Sequence, residues 1–274
     1  MDYVVLKFKG ATSKLSFEQI NQLREHIGNG DRIYLSSKEI ADYVAKEFGV
    51  IYTDKGMTKL LKRIGFVYKK PKLIPGKADK QEQQKFIAEY KELKSQIEDE
   101  VILFADGVHP KHNTRPAYGW ILKENKLVIK SNTSRKRLNI NGVLDIDNLD
   151  VTIHRSDTIN ALTTLEFFKE IEAKYQDKDK INIICDNARY YKSKIIREYT
   201  EKSKINLIFL PSYSPNLNII ERLWRFFHKK ITYNKYYQTF KEFEEATLNF
   251  FKEIPKYKNE LKTLLTENFE IIGS

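Results

Sequence analysis

Leu210-Pro211-Ser212-Tyr213-Ser214-Pro215-Asn216-Leu217-Asn218-Ile219-Ile220-Glu221-Arg222-Leu223-Trp224 cannot be regular structure in its first half. Pro211 and Pro215 each lack an N–H donor and restrict the residue before them. Ser212, Ser214 and Asn216 offer local turn hydrogen bonds. A helix then begins. Asn218 is a good N-cap, and Ile219, Ile220, Leu223, Trp224 and Phe227 recur at helical spacing. The run before the loop, Ile205 to Leu210, reads as a buried strand. A proline-clamped loop thus delivers one carboxylate, Glu221, into the first turn of a helix. Two readings of Glu221 stand side by side. Asn218-x-x-Glu221 is a capping box, in which the Glu side chain returns to the cap residue's own N–H. Alternatively, the carboxylate points away from the cap and takes part in chemistry.

Two further acids sit in matching contexts. Ile181 to Cys185 is a short apolar strand ended by Asp186, and Val101 to Ala105 is another, ended by Asp106. Three acids at two strand ends and one helix start form the kind of oxygen cluster that hard divalent cations take. Two such ions can serve phosphoryl transfer.

Asp186 and Glu221 are separated by 34 residues. With that interval, Leu-Pro-x-Tyr-Ser-Pro-x-Leu-Asn-x-Ile-Glu-x-Leu-Trp at 210–224 resembles the mariner superfamily of transposases, most closely its bacterial insertion-sequence six-thirty group. Asp186-Asn187-Ala188-Arg189-Tyr190 resembles that group's second acidic motif, and Phe104-Ala105-Asp106-Gly107-Val108-His109 its first. Tyr118-Gly119-Trp120 and Ser134-Arg135-Lys136-Arg137-Leu138-Asn139 are also similar. The resemblance runs from about residue 14 to the C-terminus. It implies an α/β chain in which a helix-turn-helix or winged-helix domain precedes a ribonuclease-H-like mixed-sheet catalytic domain. It also implies a metal-dependent transposase that cuts DNA at element ends and joins it to TA targets. Asp106 and Asp186 would hold two Mg²⁺ ions (Mn²⁺ as substitute), with Glu221 on one of them. The expected partners are the element's terminal repeats, target duplex DNA and a second copy of the chain in a homodimer. A non-catalytic DNA-binding regulator and a nuclease without strand transfer are the alternatives.

Composition agrees with a polyanion partner. The formal net charge is +11 and the pI about 9.3. Residues 1–80 hold 16 Lys and Arg against 9 Asp and Glu, more than half the excess in under a third of the chain. There is no run of 18 apolar residues and no signal-peptide pattern, so no membrane contact is expected, and the resemblance implies a bacterial cytoplasmic, nucleoid-associated protein. The single cysteine, Cys185, lies inside a strand and reads as a small core residue. One Cys and five scattered His give no zinc spacing.

The expected domains are a DNA-binding unit at 1–75, a connecting helix at 76–99 and the endonuclease domain at 100–274. Met1 to Lys9 alternates like a short strand. Helices are expected at 16–29, from Ser36 or Ser37 to Gly49, and from Thr53 to Gly65. The third would enter the major groove with Lys55, Thr58, Lys59 and Lys62 outward. Phe66 to Leu73, with Lys69, Lys70 and Lys72, would form a basic wing or phosphate-gripping arm. The resembling family has two helix-turn-helix units. Only about 13 residues precede Lys14, so the first unit is expected to be missing, encoded separately or dispensable.

From residue 101, strands are expected at 101–105, 118–122, 126–131, 138–146 and 151–155, with Glu124-Asn125 and Asn141-Gly142 as turns. A helix at 158–175, strand 181–185, helix 190–202, strand 205–210 and the helix from 218 follow, and 240–269 is helical. His109, His112 and Asn187 are candidate neighbours of the acids. Arg135, Lys136, Arg137, Arg222, Arg225, Lys229 and Lys230 are candidate phosphate contacts. Tyr191 stands where the resembling family often has histidine, and Trp120 and Trp224 are expected in the core.

Overall fold

The computed structural model describes residues 13–29, 33–71, 73, 75–124, 126–133 and 135–273. The expected strand at 1–9, Lys72, Asn125 and Ser134 lie outside them. The chain divides into two compact units, Met1–Lys72 and Leu73–Ser274. No helix among the described residues is long and apolar enough to cross a membrane.

In the first unit three helices close over a small core. Helix α1 (Phe17–Gly28) opens on a capping box between Ser16 and Gln19. Helix α2 (Ser37–Phe48) is capped by the Ser36 hydroxyl and stopped by Gly49, whose φ of 67° is cheap only for glycine. Helix α3 (Asp54–Arg63) is capped by Thr53. Leu15, Leu23, Ile40, Val44, Met57 and Leu60 fill the centre. Beyond it, the described residues of 66–73 form no strand. Of the two expected forms, wing or arm, the described residues take that of an irregular arm, with Val67 and Tyr68 exposed.

The second unit opens with α4 (Lys80–Gln96), whose Phe86 and Tyr90 are buried in its core. A five-stranded sheet follows: β1 (Glu100–Val108), β2 (Asn139–Asp145), β3 (Asp150–Ser156), β4 (Lys180–Cys185) and β5 (Ile205–Phe209). Its order is β3-β2-β1-β4-β5. The β1–β2 and β2–β3 pairs are antiparallel, whereas β1–β4 and β4–β5 are parallel. Alternation decides which side chain meets which layer. Even-numbered Ile102 and Phe104 of β1 join the layer with α7 (Ile220–Ile231), α8 (Phe240–Lys252) and α9 (Lys258–Leu264). Odd-numbered Val101, Leu103 and Ala105 join the layer with α5 (Ala161–Lys174) and α6 (Lys194–Thr200).

Five expectations are corrected. Strand β1 runs on to Val108, so Asp106 lies inside it, because β2 continues to pair with it there. Asn141-Gly142 is accordingly the middle of β2, not a turn. The described residues of 118–131 form no strands. An isolated hairpin has nowhere to bury its apolar face, and Tyr118, Trp120, Leu122 and Val128 are all exposed, so Trp120 is not core. Helix α6 is shorter than 190–202 because residues 189–193 are spent on turns. Pro255 splits the C-terminal helix, which gives way to a 3₁₀ turn at Ile254–Tyr257.

The last residues are held without regular structure. The buried Gln83 amide donates to the Ile272 carbonyl at 2.6 Å and accepts from the Ile272 N–H at 3.1 Å and the Asn216 amide at 2.8 Å. Arg222 donates to the carbonyls of Thr266 and Asn268 at 2.6 and 2.7 Å. Gln83→Leu keeps the bulk but strands these groups. It is expected to lower unfolding free energy by roughly 2–3 kcal/mol and Tm by about 5–10 °C, with exposed Gln81→Leu near neutral, as read by thermal denaturation.

Candidate functional site

The sheet register brings two acids together. Phe104 of β1 is level with Ile184 of β4, and Asp106 and Asp186 each follow two residues on, Asp186 just past the end of β4. Parallel neighbours lie about 4.8 Å apart. Both residues are even-numbered and extend toward the α7 layer. Asp106 itself pairs with Gly142 of β2. The third acid, Glu221, arrives on the first turn of α7. Asp106, Asp186 and Glu221 line one cleft of about 470 Å³, with Asn187, Asn218 and the loop 210–215 as its other walls.

The loop resolves the two readings of Glu221. The chain enters α7 through a 3₁₀ turn, Pro215–Leu217, and the cap is Ile219 with no side-chain bond. The Asn218 amide instead donates to the Ala105 carbonyl at 3.0 Å, buckling the loop onto β1. The capping box is therefore absent, and the Glu221 carboxylate is turned to the cleft.

The electrostatics follow from this crowding. Asp106 is pushed up to about 7, first by burial, then by Glu221 and more weakly by Asp186; the Gly107 N–H and the Trp224 indole oppose the rise. Glu221 is raised as well, by burial and by Asp186 against the pull of Arg225. The lining contains three carboxylates and no Lys or Arg. Hard oxygen donors with no cationic side chain in the lining suit Mg²⁺ or Mn²⁺. Among the described residues no three of His, Cys, Asp and Glu are already closed around one ion-sized point. The acids face one cleft and sense each other across it. Burial pushes the Cys185 thiol up, which leaves it a core group, not a ligand or nucleophile.

The other candidate residues fall into separate places. Asn187 lines the cleft and donates to the Leu210 carbonyl at 2.7 Å. His109 is exposed, with Nδ1 2.8 Å from Asn139 Oδ1. His112 is buried, 2.9 Å from the Tyr237 carbonyl and stacked on Phe243. Neither histidine lines the cleft. Tyr191 is buried against Phe168. Lys55, Lys59 and Lys62 are exposed on α3, as are Lys69 and Lys70 beyond it. Thr58 is half-buried, and its hydroxyl donates to the Asp54 carbonyl. Arg135, Lys136, Arg137, Arg225 and Lys229 are exposed. Lys230 is paired with Glu260. Arg222 spends its guanidinium on the C-terminal carbonyls, which gives it a structural task in place of the expected phosphate contact.

Two participants escaped sequence reasoning. The Trp224 indole N–H donates to Asp106 Oδ2 at 2.9 Å. Its position three residues after Glu221, on the same helix face, was the available signal. The Tyr190 phenol is raised by burial and by both Asp186 and Asp106. No periodicity points to it.

The charge cost at Asp106 has a measurable sign. Its folded value lies above that of an unfolded Asp. The stability it contributes is therefore complete below about pH 4 and lost as pH rises through about 7. In metal-free protein Asp106→Asn is thus expected to raise Tm, by about 1–3 kcal/mol in stability. The margin should widen from pH 5 to 7.5 and level off above, as read by melting curves across pH.

The sequence profile described as "DDE superfamily endonuclease" matches residues 101–244, more than half of the chain, and "Winged helix-turn helix" matches residues 32–90. The Tc3 transposase of Caenorhabditis elegans is 36% identical over 124 residues, 44% of this chain and 36% of that protein. An uncharacterized 39 kDa protein of insertion element IS630 from Shigella sonnei is 24% identical over 157 residues, 57% of this chain and 46% of that protein. The matched stretch thus spans less than half of either relative. The Mos1 transposase paired-end complex with left transposon end superposes with a TM-score of 0.65 at 13% identity, over 96% of this chain and 83% of that one. The Mos1 paired-end complex with Mg gives 0.63 at 13% identity, over 99% and 84%. A winged helix-turn-helix profile followed by an endonuclease profile over more than half of the chain agrees with the order of the two units and with the fold likeness, and the chain belongs to the DDE superfamily endonucleases.

Proposed function

We propose that the chain is the transposase of an insertion sequence, which cuts DNA at the element's ends and transfers the strands to TA targets. The observation that carries this reading is the set of three carboxylates on one cleft whose lining holds no cationic side chain. Asp106, Asp186 and Glu221 would hold two Mg²⁺, with Mn²⁺ as substitute. When bound, the ions activate a water or a 3′-hydroxyl and neutralise charge on the leaving oxygen. The chain's own task is to fix three acids from separate elements before DNA arrives. Its relative Mos1 transposase is known in complexes with transposon-end DNA and with Mg, which supports the same partners here.

The first unit supplies binding. Lys55, Lys59 and Lys62 lie on the exposed side of α3, with Lys69 and Lys70 close behind in sequence. They suit a helix in the major groove and an arm on the phosphates. TA targets fit a site that must bend its substrate, since TA steps kink at low cost. Homodimerisation belongs to this reading, because an element has two ends to be joined.

Two experiments test it. Glu221→Gln and Asp186→Asn are expected to abolish Mg²⁺-dependent cleavage of a duplex carrying the element end, while Tm does not fall and duplex binding stays near the parent's. Cleavage by Glu221→Gln within a few-fold of the parent contradicts the assignment. Lys59→Ala and Lys62→Ala are expected to weaken duplex binding and to flatten its salt dependence by about one ion each, as read by a binding titration in increasing salt. Unchanged affinity and slope contradict the placement of α3 on DNA.

A further inference from the structure

We propose that Trp224 is the positioning residue for Asp106, and that Gly142 is glycine so that Trp224 can reach it. This rests on the reading of Asp106 as a metal ligand. The indole N–H donates to Asp106 Oδ2 at 2.9 Å. An indole only donates and does not titrate in the working range. It therefore engages one carboxylate oxygen at every pH and fixes the plane in which the other stands. Trp224 is itself immobile, being 3% exposed and set edge-on against Phe251 at 6.0 Å.

The approach is possible because of one residue on the neighbouring strand. Gly142 pairs with Asp106 across the ladder. A Cβ at position 142 would stand 2.5 Å from Trp224 Cη2 and 2.9 Å from Cζ2. Those atoms belong to a rigid ring, and the ring cannot retreat while its N–H stays on Asp106. Glycine inside a strand marks a close approach of this kind. The same helix turn that carries Glu221 thus also orients Asp106. The first and third acids are coupled through α7, and loosening the indole should loosen the pair. Groups that orient metal ligands typically change affinity 10–100-fold when removed.

The test uses the full chain with MgCl₂ and MnCl₂ as probes. The rise in Tm across a metal series gives the half-saturating concentration without any turnover. Trp224→Phe is expected to move it upward about 10-fold or more. Cleavage by this variant should recover toward the parent rate when metal is raised, a change in metal requirement greater than the change in maximal rate. Gly142→Ala should reproduce the effect. Since Phe lacks the outer ring atoms, Trp224→Phe should restore thermal stability lost in Gly142→Ala, a coupling visible even if the single alanine variant folds poorly. The chain has two tryptophans. In a Trp120→Phe background, then, the emission of Trp224 is expected to change when metal is added and to stay fixed in Asp106→Asn. A half-saturating concentration for Trp224→Phe within two-fold of the parent, while Asp106→Asn loses the metal response, overturns the positioning role alone. A metal response that survives in Asp106→Asn overturns the ligand reading beneath it.

Discussion

Three carboxylates crowded on one cleft whose lining holds no Lys or Arg, with Arg225 acting on Glu221 from outside it, are the constraint around which the second unit is arranged. Burial, and then their mutual repulsion, raise Asp106 to about 7, so the cluster works against folding near neutral pH. The rest of that unit has to hold it. The parallel β1–β4 register brings Asp186 and Asp106 together, the Asn218 amide ties the loop to β1, and the 3₁₀ turn aims α7. The apolar layers on both sheet faces supply the stability that this arrangement spends. Under the proposed function, a divalent cation bound there would remove the cost that the fold carries.

Much of this was legible in the chain. Alternation and helical spacing announce β1, β4, β5 and α7. The acids at 106, 186 and 221 stand out because charged residues seldom end apolar strands without reason. The three small helices of the first unit are marked by Ser16, Ser36, Gly49 and Thr53, residues whose cap chemistry is local.

What escaped reading was decided by partners distant in sequence. Asp106 reads as a strand end because nothing local reveals that β2 continues opposite it. Asn141-Gly142 looks like a turn, yet Gly142 is required inside β2 by the Trp224 ring, over 80 residues away. Asn218 has the chemistry of a cap, but the Ala105 carbonyl claims its amide. Tyr118, Trp120 and Leu122 alternate like a strand and are exposed all the same, since alternation needs a surface to cover. Arg222 looks like a phosphate contact until the C-terminal carbonyls are seen to take its donors.

The central claim is that one metal-binding centre is built from three separate elements. Replacing Mg²⁺ by Fe²⁺ and adding ascorbate and peroxide generates radicals at the bound ion, which cut the backbone beside it. Cuts are expected near residues 106, 186 and 221 in the same molecules, suppressed by excess Mg²⁺ and lost in Asp106→Asn. Cuts confined to one of these segments, or scattered with no protection by Mg²⁺, would contradict it.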